Sequence, residues 1–140
     1  LKSKNILNNS NKTDPRILKL IDFCSDFFRT NNIKNVNISN FNLEFHQRNC
    51  SGETPYTPFT WHYDDYINVS FKTYTIILYI RKDSAVHNGN FEYIINKKTY
   101  KHIVKTGDIL CFPGNIYHYP QPCYGFGCRD SIVLQFERLD

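Results

Sequence analysis

The sequence predicts a mainly β fold, a two-sheet jelly roll with one N-terminal helix. Two observations carry that expectation: one stretch of helical apolar spacing near the start, and about eight strand-like segments after residue 36, separated by turn residues. A third is the aromatic content of 16% within a hydrophobic fraction of 41%, enough to fill one packed interior in a chain of 140 residues.

The first 13 residues are polar and read as a flexible lead-in to a single domain over 1–140. Asp14-Pro15 is an N-cap followed by proline at the first helical position. Ile17, Leu20, Ile21, Cys24, Phe27 and Phe28 then recur at helical spacing, and Asn31-Asn32 ends the helix after about Thr30. That apolar stripe predicts packing against a sheet. Residues 41–45 alternate apolar and polar, as a half-buried strand does. Residues 71–81 are β-branched and become apolar on both faces, which predicts a central strand covered by the helix. Shorter strands are expected over residues 90–95, 99–104, 108–112, 116–119 and 130–137.

Charge and cysteine usage exclude some classes. A net charge of +4 comes from scattered lysines that form no stripe, too weak a footprint for nucleic acid. The 5 cysteines show no recurring spacing and read as reduced thiols of a soluble protein in a reducing, cytoplasmic compartment. Cys123 and Cys128 flank a glycine-rich loop and are the pair that an oxidising setting would join. The longest apolar run, residues 76–80, is far too short for a membrane span.

The chemistry lies in His62-Tyr63-Asp64, His118 and Arg129-Asp130-Ser131. Two imidazoles and a carboxylate can hold a non-haem Fe(II) on one face and leave the other open. On a strand, residues two apart share a face, so His62 and Asp64 are expected to point inward with Tyr63 turned away. The same rule places Arg129, Ser131 and Val133 together, with Asp130 facing out. A His-x-Asp tripeptide alone is a cheap motif, and the duller readings are concrete. His62 and Asp64 would be a surface pair, His118 a core histidine, and Arg129 a strand-end ion pair to Asp64 or Asp130. His46, His87 and His102 lack partners at ligand spacing and read as surface or loop residues.

The ordered set His62-x-Asp64, Gly107-Asp108 before Phe112-Pro113, His118 and Arg129-x-Ser131 resembles the Fe(II)/2-oxoglutarate-dependent dioxygenases over roughly residues 41–137. The resemblance implies a double-stranded β-helix, the cupin-like form of the jelly roll. It also implies Fe(II) on His62, Asp64 and His118, and 2-oxoglutarate bound through Arg129 and Ser131, with Tyr79 as the best match for a third contact. Ascorbate is the auxiliary reductant to consider. A protein or peptide substrate, hydroxylated at a prolyl or lysyl side chain with O2 as oxidant, is the favoured expectation. Against that branch, Gly89-Asn90 keeps only one glycine of a common Gly-Gly pair. Trp61-His62-x-Asp64-x-Tyr66 is similar to the phytanoyl-type branch, so a small-molecule substrate is the alternative, followed by a non-catalytic cupin-like metal-binding module. Gln135 stands where the nucleic-acid demethylase branch carries a second arginine, which counts against a nucleobase. Residues 50–59, read as a flexible segment, and the loop 83–90 are the expected walls of the substrate groove.

Overall fold

The helix forms where its cap and stripe require. In the computed structural model, which describes residues 2–5, 14–56, 60–67 and 70–140, α1 spans Pro15–Thr30. The Asp14 side chain accepts the backbone N–H of Arg16 at 2.8 Å, and Asn31 closes the other end by donating to the Phe27 carbonyl at 2.8 Å. Cys24 and Phe28 are the buried positions of its apolar face.

The strands are β1 (Lys2–Asn5), β2 (Val36–Tyr56), β3 (Thr73–Lys82), β4 (Val86–Asn88), β5 (Phe91–Ile95), β6 (Lys98–His102), β7 (Ile109–Pro113), β8 (Tyr117–Pro120) and β9 (Cys123–Arg138). A short helix, α2 (Asp64–Ile67), precedes β3. The larger sheet runs β1-β2-β9-β3-β7 with β4 also paired to β9, and the smaller one runs β6-β5-β8. Every pairing is antiparallel. The two sheets face each other as a double-stranded β-helix without closing into a barrel. Residues 71–81 were expected to form a central strand; β3 lies between β9 and β7, inside the larger sheet.

Alternation along the larger sheet sets up two different faces. Phe41 and Leu43 of β2, Leu134 and Phe136 of β9 and Ile76 of β3 point toward α1 and close over Cys24 and Phe28. The Phe28 ring meets Phe136 edge-on at 5.3 Å. The opposite face carries the residues between these: Glu44, His46 and Arg48; Thr75, Ile77 and Tyr79; Arg129, Ser131, Val133 and Gln135. Register aligns them in rows, with Arg48 opposite Arg129, His46 opposite Ser131, and Ser131 opposite Tyr79.

Several expectations need correction. Residues 2–5 of the anticipated lead-in are a strand on the edge of β2; the rest of that segment lies outside the described residues. Residues 50–56 are the end of β2, paired to β9 as far as Tyr56↔Cys123, and only residues 57–59 fall outside the description. The loop 83–90 contains β4. Asp130, expected to face out, does lie on the face of β9 opposite Arg129, but it is 7% exposed, between its cross-strand partners Gln47 and Arg81. All five cysteines, Cys123 and Cys128 included, are free thiols, as the reading of reduced cysteines expects. Among the described residues no helix is long and apolar enough to cross a membrane.

Candidate metal centre

One backbone bridge brings the two histidines together. The His62 N–H donates to the His118 carbonyl at 2.9 Å and the His118 N–H to the His62 carbonyl at 3.0 Å, an isolated antiparallel bridge. His62 is therefore not on a strand, as alternation suggested. The chain pairs with β8 for one residue and then turns into α2, which begins at Asp64. The imidazole centroids end 4.3 Å apart.

The turn is held from behind. Asp65 accepts the Thr73 N–H at 2.9 Å and pairs with the buried Arg138 at 2.7 Å, while its own N–H donates to the Gly114 carbonyl at 3.1 Å. A Cβ on Gly114 would collide with the Asp65 carboxylate and the Thr73 hydroxyl, so this close approach requires glycine. Trp61 and Tyr63 turn away, Trp61 stacking on Tyr117 and Tyr119, and Tyr63 meeting Tyr66 and Tyr117.

Each prospective ligand has its outer atom tied to the protein. The His62 Nδ1–H donates to the Thr60 carbonyl at 2.6 Å and the His118 Nδ1–H to the Ile116 carbonyl at 2.9 Å, a tautomer assigned from those partners. Asp64 Oδ2 accepts the Thr75 hydroxyl at 2.6 Å. The inner atoms converge: Asp64 Oδ1 lies 3.4 Å from His62 Nε2 and 3.3 Å from His118 Nε2. All three ligand atoms lie within 4.8 Å of one another. Two imidazole nitrogens and one carboxylate oxygen, each residue oriented by a second partner, fit a divalent transition metal. Burial opposes ionisation of Asp64, but the His118 and His62 rings beside it and the Thr75 hydroxyl outweigh it and hold the carboxyl well below the usual carboxylate range. Burial opposes protonation of His62, yet Asp64 and the Thr60 carbonyl raise its pKa.

A cavity of about 150 Å³ opens beside this set and is also lined by Tyr79, Arg129 and Ser131. Thr75, which holds Asp64, and Tyr79 are four residues apart on β3, about 13 Å along the strand. Arg129 is 4% exposed, donates from Nη1 to the Gly89 carbonyl at 2.7 Å, and places its guanidinium carbon 5.3 Å from the Tyr79 ring centroid. Its Nε is buried without a hydrogen-bond partner, and no described carboxylate forms an ion pair with it. Ser131 and Tyr79 are each 2% exposed.

The structure thus gathers His62, Asp64, His118, Arg129, Ser131 and Tyr79 around one cavity. It adds residues that the motif did not disclose. Thr75 orients Asp64, and Arg48 lines the cavity beside Arg129. His46, read as a partnerless surface residue, lies on the cavity wall 2.7 Å from Glu44, and His102 pairs with Asp108 at 2.8 Å. The available signal was the polar run Glu44, His46, Arg48, which continues the alternation begun by Phe41 and Leu43 onto the other face.

No family model matches the sequence, and no curated protein matches it. Solved structures do. A prolyl 4-hydroxylase from Phytophthora capsici superposes with a TM-score of 0.67 at 12% identity, covering 97% of this chain and 47% of that one. A prolyl-4-hydroxylase from Pseudomonas putida gives 0.63 at 13% identity, covering 97% and 68%. An oxidoreductase of the 2OG-Fe(II) oxygenase family from Burkholderia pseudomallei gives 0.60 at 13% identity, covering 93% and 54%. The chain spans about half to two thirds of the length of these structures. At such identities the likeness is one of fold.

Proposed function

We propose that this chain, which shares the double-stranded β-helix of the 2OG-Fe(II) oxygenases, is itself an Fe(II)- and 2-oxoglutarate-dependent dioxygenase. The observation that carries the reading is the convergence of His62 Nε2, Asp64 Oδ1 and His118 Nε2 beside a cavity that also holds a buried Arg129. Bound there, Fe(II) would supply the oxygen chemistry that couples decarboxylation of 2-oxoglutarate, to succinate and CO2, with hydroxylation of an unactivated C–H bond. The protein's part is orientation. Thr60 and Ile116 fix the ring tautomers through their carbonyls, and Thr75 fixes the carboxylate. Arg129, with the hydroxyls of Ser131 and Tyr79 in the neighbouring row, is suited to the distal carboxylate of the co-substrate. Phe91 and Phe112 pack on the His118 ring and keep water from that side. The reading needs Fe(II), 2-oxoglutarate and O2; ascorbate forms no part of it.

For the substrate we favour a prolyl or lysyl side chain of a protein. The prolyl hydroxylases among the similar folds support that choice. Gln135 places an uncharged amide on the cavity wall, which weakens the case for a nucleobase. The test is succinate release from 2-oxoglutarate by protein loaded anaerobically with Fe(II) and then exposed to air, followed by a search for +16 Da products in peptide and metabolite pools. Asp64→Ala is expected to abolish metal binding, whereas Arg129→Ala should keep the metal and weaken the co-substrate. Absence of succinate, together with no thermal shift on adding Mn(II) and N-oxalylglycine, would leave a non-catalytic module.

A further inference from the structure

We propose that Arg48 is the second cation of the anion subsite, so that the cavity grips its dicarboxylate between two guanidinium groups on neighbouring strands. The inference rests on the dioxygenase reading for the identity of that anion, 2-oxoglutarate. Arg48 and Arg129 are direct cross-strand partners in the β2–β9 ladder, so their side chains leave the same face of the sheet. Both line the same cavity, and they are 2% and 4% exposed.

Two guanidinium groups on one wall present a concentrated positive charge to whatever enters the cavity, which favours an anion there. Burial, then the charge of Arg129, lowers the pKa of Arg48 from its ordinary value. Each guanidinium is aimed by a backbone carbonyl, Arg48 Nη1 donating to Gln121 at 2.8 Å and Arg129 Nη1 to Gly89 at 2.7 Å. The Gly89 anchor depends on glycine: its φ is +73°, and a Cβ there would press on the Cys123 sulfur and on Arg129 Nη1. The next row, His46–Ser131–Tyr79, adds hydroxyl groups below the two cations. Burial raises the Tyr79 pKa, which keeps its phenol a hydrogen-bond donor rather than a competing anion. A carboxylate has two oxygens, and two forks from adjacent strands can serve both.

The experiment uses the whole chain. Mn(II) affinity is measured by electron paramagnetic resonance, 2-oxoglutarate affinity on the Mn(II)-loaded protein by calorimetry, and glutarate affinity on the metal-free protein. Arg48→Gln is expected to weaken both dicarboxylates by about tenfold or more while Mn(II) affinity stays at the wild-type value. Dicarboxylate affinity that depends on Arg129 but is indifferent to Arg48→Gln overturns the inference and leaves the dioxygenase reading standing. Glutarate binding that depends on Arg48, in a protein that binds no Mn(II), supports the two-arginine subsite and removes the dioxygenase reading. Nitrogen-15 spectra of the arginine side chains in wild-type protein carry the test if Arg48→Gln does not fold. Shifts of both the Arg48 and Arg129 Nε–H signals on adding glutarate support the clamp, and a shift of Arg129 alone overturns it.

Discussion

Replacing Thr75 with valine removes one oxygen and keeps the shape of the side chain, so it isolates the bond that orients the only carboxylate in the proposed ligand set. Thr75 Oγ1 lies 2.6 Å from Asp64 Oδ2, with the two residues 1% and 5% exposed. A hydrogen bond to a charged group contributes about 1.5–3 kcal/mol, and its loss leaves a buried carboxylate oxygen short of a donor. In metal-free Thr75→Val, unfolding stability should therefore fall by about 1.5–3 kcal/mol, read from the urea midpoint. Losing a partner that orients a metal ligand typically costs about 10–100-fold in metal affinity, which a Mn(II) titration followed by electron paramagnetic resonance would measure. Thr75→Ser, which restores the hydroxyl, should recover most of both. A Thr75→Val protein with wild-type Mn(II) affinity and an unchanged midpoint would refute the claim that this hydroxyl sets the carboxylate.

Other perturbations separate packing from chemistry. Phe28→Ala removes a fully packed ring between α1 and the larger sheet and should destabilise by about 3–5 kcal/mol, with Mn(II) stoichiometry preserved in the folded fraction. Burial pushes the thiols of Cys24 and Cys111 up to about 12, so neither should react with an aromatic disulfide reagent at mildly alkaline pH until the protein unfolds. Hydrogen bonds from Arg16, side chain first and backbone second, lower the Asp14 carboxyl from 3.8 to about 2. A carboxylate depressed in the folded state adds stability that is complete above the unfolded value and disappears as pH falls through the folded one. The contribution of Asp14 should thus fade between about pH 3.8 and 2, and Asp14→Ala should flatten that part of the acid-unfolding curve.

How much of this was legible in the chain depends on what each residue packs against. The helix was readable because Asp14, Pro15 and the stripe through Phe28 encode cap, start and buried face locally. The span of β2 was not. Beyond Leu43 its inner face is Glu44, His46 and Arg48, polar because it borders a cavity, and Ser51-Gly52 near its end resembles a loop; backbone pairing with β9 holds it as a strand. Lys2–Asn5 is a strand for the same reason, with the edge of β2 as its template. His62 and Asp64 were placed on one strand by their spacing of two. They meet instead because a single bridge to His118 is followed at once by a helical turn braced by Asp65 and Arg138. Thr75 and Arg48 carry no motif, since their part in the site follows only from the register of β2, β3 and β9.

That register also explains how a chain of this size can keep so polar an interior. The two faces of β9 and β3 divide the work. Toward α1 they present Leu134, Phe136 and Ile76, each 0% exposed, an apolar layer whose burial favours folding. Toward the smaller sheet they present Thr75, Arg129 and Ser131 against Asp64 and His118, and burying those groups opposes folding wherever a polar atom lacks its partner, as Arg129 Nε does. A one-residue slip of β9 would carry Leu134 into the cavity and Ser131 toward the helix, losing the apolar layer and the ligand geometry together. The selection that holds the core in register therefore also holds Arg48 beside Arg129 and Thr75 beneath Asp64. The accuracy of the site is inherited from packing on the far side of the sheet.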